Sequence, residues 1–199
     1  MPRLWDIVRY DAENCTRCDL YRGATQTVFG EGPADAAMML VGEAPGDQED
    51  LAGKPFVGPA GKMLDRALSD AGIDRDAVYL TNAVKHFKFE RRGKRRIHQK
   101  PDAGEIEACR WWYEQERQLL RPRVTVALGV TAARQMLGKT VLITTTRGRA
   151  FELGEDGAGG LGCVTVHPSF LLRIADDERA EEEYAAFVED LKGAKRLLG

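Results

Sequence analysis

Histidine and cysteine are scarce in this sequence, and long apolar runs are absent. The 199 residues include three histidines and four cysteines, so each of these reactive side chains can be considered individually. No run of about 18 apolar residues exists that could span a membrane, and the first residues lack the apolar segment of a secretory signal peptide. We therefore expect a cytoplasmic protein without membrane association, whose paired cysteines bind a metal or serve redox chemistry rather than form a disulfide.

Neither sign of charge dominates the chain as a whole. Lys and Arg number 29 and Asp and Glu 31, giving a net charge of -2, which excludes a protein that coats nucleic acid through overall positive charge. The charges are nevertheless segregated, because residues 85–100 contain eight Lys or Arg and residues 174–190 contain eight Asp or Glu. Since salt screens charges beyond about 8 Å, the basic segment can bind a polyanion locally. The acidic segment is interpreted as a solvated helix face.

Apolar runs alternate with segments of helical spacing. Residues 36–41, 77–84, 124–128 and 163–166 are typical of buried strands, whereas residues 61–71, 105–120, 131–137 and 176–198 have helical spacing. This alternation predicts one α/β domain over residues 1–199. Its three layers would be helices, a central four-stranded parallel sheet and helices again (α/β/α). Functional residues are then expected just beyond the carboxyl ends of the strands.

Four segments together resemble the uracil-DNA glycosylase superfamily, specifically its iron–sulfur family 4. They are G-E-A-P-G at 42–46, D-Q-E-D-L-A-G-K-P-F-V-G-P-A-G at 47–61, T-N-A-V-K at 81–85 and H-P-S-F-L-L-R at 167–173. Residues 94–98, K-R-R-I-H, are similar to a loop of the UdgX group, which captures uracil-DNA covalently through the loop histidine. UdgX members generally carry Gln where this chain has Ala44, the residue typical of ordinary family 4 enzymes.

The cysteines suggest a metal centre. Cys15 and Cys18 form a C-x-x-C pair, and Cys109 can supply a third thiolate, which suits either zinc or an iron–sulfur cluster. The family resemblance implies a [4Fe-4S] cluster in an iron–sulfur lobe, with His86 at the position of the fourth ligand. The alternative is that His86 belongs only to the basic loop and that Cys163 is the fourth ligand.

The resemblance also implies a pocket that recognises a flipped uracil. Phe56 would stack on the base, and the Asn82 amide would pair with uracil O4 and N3–H, a pattern that cytosine cannot match. His167 would donate a hydrogen bond to O2 and stabilise the uracil anion as the glycosidic bond breaks. Ala44 and Asp47 complete the predicted uracil-binding set. Considered singly, without the family resemblance, Phe56 and His167 would be interpreted as core residues and Asn82 as a strand-end cap.

Glu43 and His98 are the remaining predicted catalytic residues. Glu43 would stabilise the oxocarbenium-like sugar or orient water, and His98 would attack C1′ as a nucleophile. The predicted DNA contacts lie in the basic loop, about 88–101, and after the fourth predicted strand, 163–166; they are Lys94, Arg95, Arg96, Ser169 and Arg173. Phe170 and Leu171 could either wedge the duplex or pack in the core.

The leading functional hypothesis is excision of uracil from DNA with covalent capture of the abasic site by His98. The alternative is a family 4 glycosylase that turns over and releases uracil, and a third reading is a non-catalytic iron–sulfur or zinc protein that binds nucleic acid. We expect a monomer that acts on uracil-containing DNA and favours single strands, because no partner base must be separated there.

Overall fold

A five-stranded sheet organises the protein, which is described here by a computed structural model for residues 4–154 and 158–199. The strands are β1 (Met38–Gly42), β2 (Val78–Asn82), β5 (Val124–Leu128), β6 (Ala150–Glu152) and β7 (Leu161–Thr165), in the spatial order β2-β1-β5-β7-β6. Strands β2, β1, β5 and β7 are parallel, and β6 pairs antiparallel with β7. Every residue of β1, β2 and β5 is buried, as expected for a parallel sheet covered on both faces.

The predicted α/β fold and its four parallel strands are confirmed, but the predicted strand count omitted β6. This edge strand has only three residues, two of them exposed. It therefore has neither the continuous apolar run nor the extended alternation from which the other strands were predicted.

Eight α-helices flank the sheet in the described ranges. They are α1 (Leu4–Glu13), α2 (Asp47–Ala52), α3 (Pro59–Asp70), α4 (Ala103–Leu120), α5 (Val130–Leu137), α6 (Ile143–Thr146), α7 (Pro168–Leu171) and α8 (Asp177–Arg196). Local sequence explains several boundaries. Pro59 occupies the first turn of α3, where its missing N–H costs no hydrogen bond, and Asp102 and Glu105 form a capping box at the start of α4.

Successive side chains of the central strands enter two different cores. Met38 and Leu40 pack with α3, α7 and α8, whereas Met39 and Val41 pack with α4 and α5 on the opposite face. This alternation follows from the strand geometry, in which neighbouring side chains point to opposite faces, and it gives the predicted three layers. None of the helices in the two described ranges combines the length and apolar character needed to cross a membrane.

The basic segment forms a hairpin outside the main sheet. β3 (Phe89–Arg92) pairs antiparallel with β4 (Arg95–His98), and Phe89 lies opposite His98. The turn between them contains Gly93 with φ = +60°, a conformation that glycine adopts without steric cost. Since an isolated two-stranded hairpin is only marginally stable, its position depends on contacts with the rest of the protein.

Candidate active site

The predicted site residues meet at the carboxyl edge of the sheet. Gly42, the last residue of β1, lies opposite Asn82, the last residue of β2. The segments that follow stay together, because the Ala83 N–H donates to the Gly42 carbonyl (2.9 Å) and the Val84 N–H donates to the Glu43 carbonyl (3.0 Å). The loops that follow β1 and β2 are thereby held side by side by backbone hydrogen bonds.

Phe56, Asn82 and His167 converge on this edge. The rings of Phe56 and His167 are stacked, with centroids 6.2 Å apart and an interplanar angle of 27°. A Cβ atom on Gly42 would lie 2.3 Å from Asn82 Oδ1 and 2.6 Å from Phe56 Cζ. Only glycine therefore fits beneath these two side chains, and the three groups predicted to contact a base are neighbours.

Phe56 adopts a backbone conformation that is uncommon for a non-glycine residue, with φ = +56°. Glu49 fixes the loop on both sides of it, since its carboxylate accepts hydrogen bonds from the N–H groups of Gly46 (3.1 Å) and Gly58 (2.7 Å). The Phe56 carbonyl also approaches Gly61 so closely that a Cβ there would lie 1.8 Å away. Strain of this kind persists only where surrounding contacts impose it, and it is frequent at functional sites.

His167 is oriented by the residue two positions further along the chain. The Ser169 N–H donates to His167 Nδ1 (3.2 Å), and Ser169 Oγ lies 2.9 Å from the same nitrogen. A backbone N–H can only donate, so Nδ1 is the acceptor and the neutral ring carries its proton on Nε2. Burial, the proximity of His98 and then that of Arg173 lower the pKa of His167 to about 4. At neutral pH this side chain is an uncharged donor.

The lowered pKa of His167 predicts a pH-dependent stability. Between about 6.5 and about 4 the unfolded chain binds a proton that the folded protein excludes. The free energy of unfolding therefore falls as the pH is lowered through this window, by about 3 kcal/mol from this group. Urea denaturation at several pH values should show this loss, and His167→Phe should remove that part of it. An identical pH dependence in the two proteins would contradict the prediction.

Glu43 and His98 approach each other from different parts of the chain. His98 Nε2 lies 3.9 Å from Glu43 Oε1, and both side chains are partly exposed. The other carboxylate oxygen, Oε2, accepts a hydrogen bond from the Thr131 hydroxyl (2.5 Å). Sequence reasoning missed Thr131, although its position two residues after Gly129 at the end of β5 was a usable signal. One oxygen of Glu43 is thus anchored, while the other faces His98.

The end of β5 also shapes the His167 side of the site. Gly129 has φ = +90°, and a Cβ there would lie 3.1 Å from His167 Cβ. Both the backbone conformation and this close approach favour glycine. Gly129 precedes α5, so the same turn brings Thr131 to Glu43 and leaves room for His167.

Arg96 attaches the hairpin to α2. Its Nε donates to Asp47 Oδ1 (2.6 Å) and its Nη1 donates to Asp50 Oδ2 (2.6 Å). The guanidinium also lies 5.2 Å from the ring centroids of both Phe87 and Phe89. The side chain is only 14% exposed, so its charge is committed to carboxylates within the protein. Asp50, which sequence reasoning missed, is fully buried and additionally accepts a hydrogen bond from the Thr25 N–H.

Removal of this ion pair should release the hairpin. In Arg96→Met the buried Asp50 loses its cationic partner, a change that costs about 3 kcal/mol, or about 100-fold in the opening equilibrium. Hydrogen exchange of the β3–β4 amides should accelerate accordingly. Arg95→Met is the matched control, because Arg95 is exposed and makes no ion pair in the described part of the chain. Equal protection in both variants would contradict this account of Arg96.

The remaining predicted DNA contacts lie around the same opening. Lys94, Arg95 and Arg173 are exposed, and Ser169 is bonded to His167. Leu171 packs in the core with 5% exposure, which removes it as a candidate wedge. Phe170 also packs against this core. Leu172, the residue directly after α7, is an apolar side chain that is 47% exposed.

Three of the predicted metal ligands are close neighbours. Contact with Cys109, and then with His86, lowers the pKa of Cys18 to about 4, whereas the same contact and burial raise the pKa of Cys109. Cys15 and Cys109 belong to one buried cluster, and Cys15 Sγ accepts a hydrogen bond from the Trp112 indole (3.0 Å). Cys163 lies in the core that contains α3 and α8, so it does not join this group.

The side chains present fit a soft metal centre in their chemistry. His86 is buried, its Nε2 lies 2.9 Å from Thr27 Oγ1, and its Nδ1 has no hydrogen-bond partner. A buried ring nitrogen without a partner is costly and is available to a metal. Across residues 4–154 and 158–199, however, no three His, Cys, Asp or Glu side chains are arranged so that they could hold a metal ion.

Comparison with known proteins identifies the family. Residues 29–192 match the model of the uracil DNA glycosylase superfamily. A type-4 uracil-DNA glycosylase of Thermotoga maritima is 37% identical over 197 residues, which cover 98% of this chain and 95% of the relative. A type-4 uracil-DNA glycosylase of Archaeoglobus fulgidus is 36% identical, and the match covers 100% of this chain and 95% of the relative. A type-4 uracil-DNA glycosylase of Pyrobaculum aerophilum is also 36% identical, and the match covers 87% of this chain and 85% of the relative. The chain therefore belongs to the uracil-DNA glycosylase superfamily and, within it, to the type-4 uracil-DNA glycosylases.

Proposed function

We propose that this protein removes uracil from DNA by cleaving the N-glycosidic bond. The observation that carries the proposal is the convergence of Phe56, Asn82 and His167 beside Glu43 at one edge of the sheet. The names of the relatives support the same activity. Residues 1–199 would act as one domain, with uracil-containing DNA as the partner.

Base recognition depends on Phe56 and Asn82. A flipped uracil stacks on the Phe56 ring, which recovers part of the cost of unstacking the base. The Asn82 amide donates to O4 and accepts from N3–H, so cytosine would leave buried polar groups unpaired. Ala44, partly buried against the core, closes this side of the pocket. Asp47 is bonded to Arg96 and contributes by keeping the hairpin beside the base.

Bond cleavage depends on His167 and Glu43. As the C1′–N1 bond breaks, its electron pair moves onto uracil and negative charge develops on O2. The Nε2–H of neutral His167 donates to that oxygen and stabilises the transition state more than the substrate. The Glu43 carboxylate, anchored by Thr131, stabilises the positive charge on the sugar or orients the water that attacks C1′.

A [4Fe-4S] cluster held by Cys15, Cys18, Cys109 and His86 is part of the proposal. The buried, unpartnered His86 Nδ1 supports the fourth ligand. When bound, the cluster supplies a structural link between the amino-terminal segment, the segment after β2 and helix α4. The Thr27 hydroxyl would fix the orientation of the His86 ring through Nε2.

The DNA backbone would be bound by the exposed cations around the pocket. Lys94 and Arg95 at the tip of the hairpin, with Arg173 after α7, neutralise phosphates, and Ser169 adds a polar contact. Leu172 is the candidate wedge that fills the space of the flipped base. Arg96, also predicted to contact DNA, is assigned instead to positioning the hairpin, because its charge is already paired.

Two outcomes of the reaction differ in what attacks C1′. Similarity to the type-4 enzymes supports turnover, with water as the nucleophile, better than the covalent capture that the loop motif favoured. Capture through His98 is retained as a second candidate, because His98 Nε2 lies 3.9 Å from Glu43 and beside His167. The monomeric state, the preference for single strands and the cytoplasmic location stay predictions.

The test is a count of uracil released per protein chain from a uracil-containing oligonucleotide. Many equivalents indicate turnover, and one equivalent with a denaturant-resistant protein–DNA band indicates capture. Iron analysis of the same preparation distinguishes iron–sulfur from zinc. Binding of DNA without any release of uracil would contradict the proposed function and favour the non-catalytic alternative.

A further inference from the structure

Lys85 carries a fully buried charge that the proposed reaction does not use. Its Nζ donates to Thr81 Oγ1 (2.6 Å), to the Asn82 carbonyl (2.8 Å) and to Glu116 Oε2 (2.6 Å). The side chains of both Lys85 and Glu116 are 0% exposed. An ammonium group has three protons, so these three contacts use every donor that Lys85 has.

Glu116 is itself held by groups from several segments. It lies on α4 and accepts hydrogen bonds from the Gly30 N–H (3.1 Å), the Tyr79 hydroxyl (3.0 Å) and the Thr81 hydroxyl (2.9 Å). The carboxylate therefore has a single defined position, and the ammonium of Lys85 is fixed against it. The network ends at the backbone carbonyl of Asn82.

Asn82 needs support of this kind because its side-chain amide is free. It makes no hydrogen bond with the described residues, although the residue is only 3% exposed. Its orientation depends on packing against Gly42 and on the position of its own backbone. That backbone is fixed by pairing with β1 on one side and by Lys85 at its carbonyl.

We propose that Lys85, fixed by Glu116, is a positioning residue that holds the Asn82 amide in the orientation required to read uracil. The inference rests on the proposed function. Stability alone does not explain the pair, because a buried ion pair is often replaced by apolar residues without loss of stability. Lys rather than Arg suits the site, since a compact ammonium satisfies three converging acceptors that a planar guanidinium would not.

The test is the double variant Lys85→Met, Glu116→Gln, which removes both charges and preserves side-chain length. A misplaced Asn82 should lower kcat/KM for uracil excision by about 100-fold and raise the inhibition constant of free uracil. Affinity for a uracil-free oligonucleotide, iron content and Tm should not change. Tyr79→Phe is the control, because it removes one hydrogen bond to the same carboxylate without touching Lys85 or Asn82.

Several outcomes would overturn the inference. Unchanged kcat/KM and unchanged inhibition by uracil in the double variant would do so, as would an equal loss in Tyr79→Phe. A fall in Tm and DNA affinity that accounts for the whole effect would assign the pair a purely structural role. If the double variant does not fold, Glu116→Gln alone should weaken inhibition by uracil while DNA affinity stays constant. Unchanged inhibition by uracil in Glu116→Gln would then overturn the inference. A wild-type protein that releases no uracil overturns the proposed function and this inference together.

Discussion

Replacing His98 by Ser should abolish any denaturant-resistant complex with uracil-containing DNA while leaving uracil release intact. An unprotonated imidazole nitrogen is a competent nucleophile, and Nε2 of His98 lies 3.9 Å from the carboxylate that would stabilise the sugar cation. In the capture candidate, attack by Nε2 at C1′ would form a C–N bond as the bond to uracil N1 breaks and its electron pair leaves with uracil. Such an adduct would resist hydrolysis because it has no readily protonated oxygen as a leaving group. The serine variant leaves this position to water.

The measurement is denaturing gel electrophoresis with labelled oligonucleotide, combined with a count of released uracil. Lys94→Ser is the matched control, since it alters the same hairpin and removes a positive charge but leaves His98 and the Arg96 ion pairs in place. A wild-type protein that forms no resistant band would overturn the capture mechanism and leave turnover as the function. A band that persists undiminished in His98→Ser would assign the nucleophile to another residue.

Replacing His167 by Phe should lower kcat by about 100-fold to 1,000-fold, which is the usual effect of removing a donor aimed at a developing oxyanion. Phe preserves the ring that stacks near Phe56 but has no N–H for uracil O2. The loss should fall on kcat rather than on DNA affinity, because the donor matters most as negative charge develops. Single-turnover kinetics at saturating enzyme measures the chemical step directly.

Ser169→Ala is the control for this prediction. It removes the Ser169 hydroxyl but keeps the backbone N–H that donates to His167 Nδ1, so the tautomer of His167 is preserved. A much smaller loss is expected than in His167→Phe. If the two variants were equally slow, the effect would come from disruption of α7, and the proposed role of His167 would be wrong.

Much of the fold could be predicted from sequence because burial repeats along each element. The continuous apolar runs predicted β1, β2, β5 and β7, and helical spacing predicted α3, α4, α5 and α8, all within a few residues of the observed ends. The elements that were not predicted are α1, α2, α6, α7, β3, β4 and β6. Strand β6 has three residues and helices α6 and α7 have four each, which is too short for a period to show in the sequence.

The candidate site could be predicted only in part. Phe56, Asn82 and His167 were found through the motifs that contain them, and the structure brings them together. Glu116, Asp50 and Thr131 were missed, because each acts through a partner at least 25 residues away along the chain. No local spacing reveals such a contact. Leu171 and Leu172 are adjacent leucines in the sequence, and only their burial distinguishes a core residue from an exposed one.

The sequence by itself determined the α/β architecture, the family and the residues that meet at the carboxyl edge of the sheet. Only the tertiary structure decided how the charges are used. In the sequence, the cations of the basic segment cannot be told apart. In the folded protein Arg96 binds Asp47 and Asp50, whereas Lys94 and Arg95 are exposed. Lys85, at the start of the same run, is buried against Glu116. The physical reason is that a charge acts through its distance to other charges and to water, and those distances exist only once the chain has folded.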